Sequence, residues 1–285
     1  MSFQIIGPQV KMNAETIEIE KEHILTGTGH SSKGNQLKWE ADGYWYKADA
    51  FGFESLSEIV VTRLLQYSNI ENFVEYEPVT IIYKGKSYRG CKSRNFRGEK
   101  EELVTLERLS RQYTGFSLAK ELGRISDVKQ RILYTTELIE NVTGLGGFGK
   151  YLTQMLEIDA FFLNEDRHTN NIALLYHSEK KEYGFCPFFD MGLSLFSDTR
   201  EAYPIKKDFE ECRNIIEAKP FSRDFDEQTD AAEELFGSSL KFHLSHKALT
   251  DILKEVKTFY KEEEIKRVEN ILRNQMRKYR YMFTL

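Results

Sequence analysis

Hydrophobic and polar residues alternate in short runs over the first 92 residues, a pattern that predicts β-strands. The predicted strands cover residues 17–24, 37–39, 44–48, 79–83 and 87–92. Asp42-Gly43, between the second and third of these, is a strong signal for a two-residue hairpin turn. Apolar residues recur at helical spacing once in this part, from Ser57 to Tyr67.

From about residue 100 onward the spacing of amphipathic helices takes over. Helices are predicted over residues 103–109, 127–141, 151–163, 207–218 and 230–235, with two more starting at Ala248 and Glu262. Residues 172–190 differ, because two apolar runs flank a charged turn at 178–181 and so predict a hairpin. The sequence therefore predicts an α+β fold in two lobes, a β-rich one over residues 1–92 and a helical one over 93–285.

The composition favours an ordinary globular protein. Of 285 residues, 40% are hydrophobic and 30% charged, and the net charge of -5 argues against non-specific binding to nucleic acid. Cys91, Cys186 and Cys212 lie too far apart for a disulfide scaffold or a zinc site, which suits a reducing cytoplasm. The first residues lack the basic start and apolar run of a signal peptide, and no stretch approaches the roughly 20 apolar residues of a membrane span. We expect a cytoplasmic protein without a membrane span; secretion that needs no signal peptide stays open.

Three polar residues near the predicted hairpin have the spacing of a phosphotransfer site. Asp166 precedes Asn171 by five residues, and Asp190 follows the hairpin in Asp190-Met191-Gly192. Phosphoryl transfer needs a carboxylate that orients the acceptor hydroxyl, and Mg²⁺ needs hard oxygen ligands. Protein kinases arrange an aspartate, an amide ligand and a second aspartate in this order. A charged turn at a helix end is the alternative for Asp166–Asn171 alone, and the hairpin followed by Asp190 weakens it.

Together, Asp166-Arg167-His168-x-x-Asn171 and Phe189-Asp190-Met191-Gly192 resemble the motifs of HipA-like serine/threonine kinases, most closely the compact CtkA-like members. Phosphatidylinositol kinases share the Asp-Arg-His-x-x-Asn motif, followed by an Asp-Phe-Gly. The resemblance spans about residues 25–200. It implies a two-lobed kinase fold, ATP and Mg²⁺ as cofactors, and a protein substrate with a Ser or Thr acceptor.

By this resemblance Asp166 is the catalytic base, and Asn171 and Asp190 are metal ligands. Because a carboxylate is a weak base, we expect Asp166 mainly to orient the hydroxyl. Two roles stay open for Arg167 and His168: contact with phosphate, or bracing of the loop.

The first lobe offers partners for the phosphates. Lys47, on a predicted strand, is the candidate for the lysine that reaches the α- and β-phosphates, and Glu58 is its expected ion-pair partner. Ser55-Leu56-Ser57-Glu58 also matches a capping box, in which Glu58 would only close the start of the helix.

Two further nucleotide contacts are expected by position. The loop 27–34 lies one strand before Lys47 and could meet phosphate through its backbone, with Gly29, Ser31 and Ser32 as candidates. HipA-like kinases have a Ser-containing loop here, and some autophosphorylate it. Cys91-Lys92-Ser93 is expected to be the hinge that meets adenine.

Two patterns have simpler interpretations. Gly144-Leu145-Gly146-Gly147-Phe148-Gly149 has the spacing of a dinucleotide motif, but it follows a helical pattern and is interpreted as an inter-helix loop. The basic segment after Glu262 is interpreted as a packed terminal helix rather than a docking site for an acidic partner.

Other functions remain open. A small-molecule or lipid kinase would use the same three residues, Asp166, Asn171 and Asp190. A nucleotide-binding pseudokinase or docking module would have less need for Asp166. An antitoxin partner is left open, although the chain is expected to be too short for the additional N-terminal subdomain of full-length HipA toxins.

Overall fold

A computed structural model describes residues 15–19 and 36–284 of the chain. The loop 27–34, with Gly29, Ser31 and Ser32, lies outside these residues, so its predicted contacts with phosphate remain predictions.

Eight strands, nine α-helices and a short 3-10 helix (Arg280–Met282) are present among the described residues. The strands are β1 (Glu15–Ile19), β2 (Lys38–Ala41), β3 (Tyr44–Ala48), β4 (Glu77–Tyr83), β5 (Lys86–Arg94), β6 (Glu101–Thr105), β7 (Ala173–His177) and β8 (Glu182–Phe185). The helices are α1 (Glu54–Leu65), α2 (Leu106–Thr114), α3 (Leu118–Arg124), α4 (Val128–Thr143), α5 (Phe148–Phe162), α6 (Phe209–Arg213), α7 (Phe225–Phe236), α8 (His246–Glu255) and α9 (Glu262–Lys278).

The first sheet has five strands in the order β1-β4-β5-β3-β2. β2 and β3 form a hairpin turned at Asp42 and Gly43, whose φ angles of 51° and 76° are both positive. A two-residue hairpin loop needs this left-handed backbone, which Asp tolerates and Gly adopts freely. The predicted turn is therefore confirmed, and it fixes which residues of β2 and β3 face each other.

Helix α1 lies between this sheet and the helical part of the chain, and nearly all of its residues are buried. It begins at Glu54, three residues before the predicted start. The Glu54 carboxylate accepts hydrogen bonds from the backbone N–H groups of Ala50, Phe51 and Gly52. A carboxylate in the first turn also suits the positive end of the helix dipole.

Helix α5 is the centre of the helical part, with apolar residues buried on all sides. It packs against α4, α7 and α9. Gln275 of α9 donates to the carbonyl oxygens of Ala160 and Phe161 at 2.8 and 3.0 Å. These carbonyls belong to the last turn of α5, where no intrahelical donor is left. Gln275 thus helps to fix the point at which α5 ends and the loop containing Asp166 begins.

A second sheet, in the order β6-β7-β8, differs partly from expectation. The hairpin β7–β8 is confirmed, but residues 103–105 of the helix predicted over 103–109 lie in strand β6. Leu103 and Val104 pair with Leu175 and Leu174 of β7, an interaction that local spacing does not reveal. The helix α2 starts only after Thr105, whose hydroxyl caps it by accepting from Arg108 N.

The bounds of several other helices also differ from the predicted ones. The helix predicted over residues 207–218 is reduced to α6, α7 is longer than the predicted 230–235, and α3 was not predicted. The glycine-rich segment 144–149 connects α4 to α5 and includes the first two residues of α5, as the inter-helix interpretation requires. The predicted terminal helix is α9, with Ile265, Val268 and Leu272 buried.

Cys91, Cys186 and Cys212 are free and buried. In the part of the chain that the structure describes, no helix is long and apolar enough to cross a membrane.

Gly52 allows close contact between the start of α1 and the segment after Asp190. A Cβ atom on Gly52 would lie 2.1 Å from Ser197 O and 2.8 Å from Thr199 N. Since both are backbone atoms, we predict that Gly52→Ala lowers the free energy of unfolding by about 1–3 kcal/mol. Gly123→Ala in α3 is the control: it meets nothing within 4 Å and should be neutral or stabilising by up to about 1 kcal/mol. Urea unfolding of both variants measures this, and equal stability would contradict the close contact.

Candidate active site

Lys47 is the cation at the centre of the candidate site. It lies on β3 with only 8% of its surface exposed. Its Nζ is 2.5 Å from Glu58 Oε1 and 2.7 Å from Asp190 Oδ1. Burial alone would lower the pKa of Lys47, but Asp190 and Glu58 outweigh it and raise the pKa well above its usual value. Lys47 is therefore charged and is shared by two carboxylates from different parts of the chain.

Glu58 uses its second oxygen to hold the Asp190 segment. Its Oε2 accepts a hydrogen bond from Met191 N at 2.9 Å. The capping-box alternative is wrong, because Ser55 lies inside α1 and the N-cap position is Phe53. The expected ion pair of Lys47 with Glu58 is present instead. Burial raises the pKa of Glu58, while Lys47 and the Met191 N–H act in the opposite direction.

Asp190 has a left-handed backbone, with φ 62°. Such a conformation is unfavourable for a residue with a side chain, although Asp tolerates it better than most. Lys38 Nζ lies 3.6 Å from Asp190 Oδ2, so two lysines contact this carboxylate. Burial would raise the pKa of Asp190, but Lys38 and Lys47 hold it well below its usual value. Asp190 is thus a permanent anion at neutral pH.

Asn171 and Asp166 are held together by the loop after α5. Asn171 Nδ2 donates to the Asp166 backbone oxygen at 2.8 Å and to Asp166 Oδ2 at 3.1 Å. These bonds fix the orientation of the amide. Among the described residues, no hydrogen bond to Asn171 Oδ1 is present, which leaves this oxygen for a ligand.

The structure gives Arg167 a bracing role. The side chain is only 1% exposed, and its Nε and Nη2 donate to Asp159 Oδ2 and Oδ1 at 2.8 and 3.0 Å. Its Nη1 donates to the backbone oxygens of Asn171 and Phe189 at 2.9 and 3.2 Å. Through these four hydrogen bonds, Arg167 links α5, which carries Asp159, to the backbone at Asn171 and to the backbone just before Asp190. Of the two roles left open for Arg167, the contacts support the brace and not a contact with phosphate.

His168 and Lys219 lie at the other oxygen of Asp166. His168 Nε2 and Lys219 Nζ are each 3.8 Å from Asp166 Oδ1. Burial lowers the pKa of His168, Asp166 opposes this shift, and the nearby charge of Lys219 adds to it. The surroundings of His168 therefore favour its neutral form.

The predicted hinge is not where it was expected. Cys91, Lys92 and Ser93 lie inside β5, whose neighbours are β3 and β4. Lys92 pairs with Glu15 of β1 at 2.5 Å and lies 3.8 Å from Glu77, so its side chain belongs to the sheet surface. β5 continues to Arg94, and the connection to the helical part is residues 95–100. The position-based assignment of Lys92 to the hinge is corrected accordingly.

Lys38 and Lys219 were missed by the sequence analysis. For Lys38 a signal existed: the turn at Asp42-Gly43 puts Lys38 directly opposite Lys47 in the hairpin. Like charges that face each other across strands are unfavourable unless anions neutralise them, which points to a shared anionic ligand. Lys219 comes from the segment between α6 and α7, and no pattern in the sequence connects it to Asp166.

The predicted metal ligands carry oxygen donors of the kind that hard divalent cations prefer. No cluster of three His, Cys, Asp or Glu that could hold a metal ion is present among residues 15–19 and 36–284. Asn171 and Asp190 offer an amide oxygen and a carboxylate. Mg²⁺ in nucleotide sites is typically bound by one or two protein oxygens together with phosphates and water.

Comparisons with known proteins agree on the fold. No family model matches the sequence, and no significant match is found among curated proteins. The crystal structure of the Helicobacter pylori proinflammatory kinase CtkA is similar with a TM-score of 0.60 and 18% identity, covering 92% of this chain and 94% of that one. HipA of Shewanella oneidensis MR-1, solved with HipB and operator DNA, gives 0.51 and 14%, covering 82% of this chain and 58% of the other.

The chain has a kinase fold. The expected similarity to HipA-like and CtkA-like kinases is confirmed at the level of the fold, as is the α+β class. The roles of individual residues in this kinase-fold protein rest on the geometry described above.

The Arg167 brace leads to a test of stability. Removing one partner of a buried ion pair leaves an uncompensated charge, so Arg167→Ala should cost about 3–5 kcal/mol of unfolding free energy. Arg124, 69% exposed and paired with Glu121 at 2.5 Å, is the control, and Arg124→Ala should cost less than about 1 kcal/mol. Denaturant unfolding provides the measurement. A loss for Arg167→Ala no larger than that of the control would rule out the brace.

Proposed function

We propose that this protein is an ATP- and Mg²⁺-dependent kinase that transfers the γ-phosphate to a Ser or Thr of a protein. One observation carries the proposal: Lys47 contacts Glu58 and Asp190 simultaneously. An active kinase needs both the Lys–Glu pair and the metal-binding Asp in place. A protein with this fold but without kinase activity would not need Lys47, Glu58 and Asp190 in contact, although a nucleotide-binding module could retain them.

In the proposed reaction, Lys47 and Lys38 bind the phosphates of ATP from the sheet side. Asn171 Oδ1 and the Asp190 carboxylate would hold Mg²⁺, which when bound offsets the charge on the β- and γ-phosphates. Asp166 accepts the hydrogen bond of the acceptor hydroxyl and aligns its oxygen with the γ-phosphorus. The new P–O bond forms as the bond to ADP breaks, and the hydroxyl proton passes to Asp166.

The cleft around these residues is lined by both a lysine and carboxylates, as binding of phosphates and of an acceptor hydroxyl requires. Lys38, Asp166 and Asp190 line the same concavity, together with Gln36 and Glu54. The donor-side and acceptor-side carboxylates thus border one space. The acceptor class is taken from the fold similarity, and a small molecule or lipid would fit the same carboxylates. HipA was solved with HipB, and an antitoxin-like partner for this chain is likewise a proposal.

Loss of Asp166 should separate binding from transfer. With labelled ATP and Mg²⁺, Asp166→Asn should lose about 10²–10³-fold or more in transfer to protein, while ATP and Mg²⁺ still raise its melting temperature. Asp190→Asn should lose both transfer and the Mg²⁺-dependent part of the stabilisation. Equal labelling of wild type and both variants would refute the assignment. Stabilisation of the wild type by ATP without any transfer to protein, lipid or water would favour the binding module.

Lys38 should contribute to nucleotide affinity. Since it shares an anion with Lys47, we expect Lys38→Ala to weaken ATP binding about tenfold, typical for one charge-assisted contact. Lys92→Ala is the matched control, a β-strand lysine of the same sheet that is paired with Glu15, and it should bind ATP as the wild type does. Titration calorimetry with ATP and Mg²⁺ measures both. Unchanged affinity of Lys38→Ala would remove Lys38 from the site.

A further inference from the structure

Lys219 is a cation placed beside Asp166 by a distant part of the chain. Its Nζ is 3.8 Å from Asp166 Oδ1, and 40% of its side chain is exposed. We propose that Lys219 is a catalytic residue that binds the phosphoryl group from the acceptor side during transfer. This inference rests on the proposed kinase function and adds a residue that the motifs do not contain.

The backbone around Lys219 is anchored, so its position is not that of a loose surface chain. Phe221 is fully buried, and its carbonyl oxygen accepts from Arg131 Nη1 at 2.5 Å. Ala218 N donates to Arg223 O at 2.9 Å, and Phe221 N donates to Gln228 Oε1 at 3.3 Å. The flexible four-carbon stem of Lys219 therefore projects from a fixed base.

The two oxygens of Asp166 face different partners. Asn171, a predicted metal ligand, donates to Oδ2, whereas His168 and Lys219 lie at Oδ1. Lys38 and Lys47 contact Asp190 instead. The lysines of the sheet thus contact Asp190, whereas Lys219 contacts Asp166 through the oxygen that Asn171 does not use.

Of the two groups at Asp166 Oδ1, Lys219 supplies the positive charge. His168 Nδ1 accepts a hydrogen bond from Asn170 N at 3.2 Å, so this nitrogen carries no proton and the ring offers Nε2–H as a donor without a charge. The nearest carboxylate in the sequence, Glu217, lies two residues before Lys219 and is paired with Arg223. With 40% of its side chain exposed and Asp166 Oδ1 at 3.8 Å, the Lys219 ammonium has room to turn from Asp166 to a new anion nearby.

Such an anion appears when the acceptor is bound at Asp166. As the γ-phosphorus moves from the ADP oxygen to the acceptor oxygen, its three other oxygens carry the negative charge. Lys219 makes and breaks no covalent bond in this step. It binds the phosphoryl oxygens more strongly in the transition state than in bound ATP. Preorganised cations of this kind are typically worth about 10²–10³-fold in kcat.

Binding of a transition-state analogue tests Lys219 without knowledge of the acceptor. ADP with Mg²⁺ and aluminium fluoride imitates the phosphoryl group in flight. The wild type should bind this mixture more tightly than ADP with Mg²⁺. In Lys219→Met the extra affinity should fall about tenfold or more, while the affinity for ADP with Mg²⁺ stays unchanged, and Lys219→Arg should keep most of it. Lys129→Met is the control, since Lys129 on α4 is 41% exposed and paired with Glu234.

Each result has one meaning. A wild type that does not bind ADP with Mg²⁺ defeats the proposed function and this inference together. A wild type that binds ADP, with the extra affinity for aluminium fluoride equal in Lys219→Met or absent throughout, defeats the role of Lys219 alone. Loss in Lys219→Met with retention in Lys219→Arg and Lys129→Met supports it. A melting temperature for Lys219→Met within about 2 °C of the wild type, as expected for a partly exposed residue, shows that the fold is intact.

Discussion

One buried ammonium group, that of Lys47, determines how the two halves of the site meet. It neutralises Glu58 of α1 and Asp190 of the segment after β8, two carboxylates that would repel each other at this distance without it. Lys38 adds a second positive charge at Asp190. The result is a compact set of two cations and two anions, in which an incoming metal and triphosphate can replace protein contacts without leaving an isolated charge.

The same interaction explains why α1 has a defined position. Glu58 Oε2 holds Met191 N, Ser57 Oγ donates to Ser194 O, and Phe53 N donates to Ser197 O. Residues 193–198 are buried against the start of α1. In kinases, regulation commonly acts on the placement of the helix that carries the Glu. Here the segment after Asp190 already holds that helix, through contacts from both side chains and backbone.

Local signals in the sequence predicted what local geometry controls. The five-residue interval from Asp166 to Asn171, the hairpin before Asp190, and the turn at Asp42-Gly43 are all short-range features, and each has the expected form. Long-range pairing decided the rest: β6 is a strand because β7 is beside it, and β5 continues to Arg94 because Arg94 pairs with Tyr44 of β3. Lys219 could not have been predicted, since it lies 53 residues from Asp166 in the sequence.

We propose that Asn171 and Asp190 hold a metal that positions a nucleotide against Lys47. A crystal containing Mn²⁺ and a non-hydrolysable ATP analogue tests this directly, because Mn²⁺ gives an anomalous signal. We expect an anomalous peak about 2.0–2.3 Å from Asn171 Oδ1 and from an Asp190 carboxylate oxygen, with phosphate oxygens in contact with Lys47. A nucleotide bound without a metal peak at these two residues, or a peak elsewhere in the molecule, would contradict it.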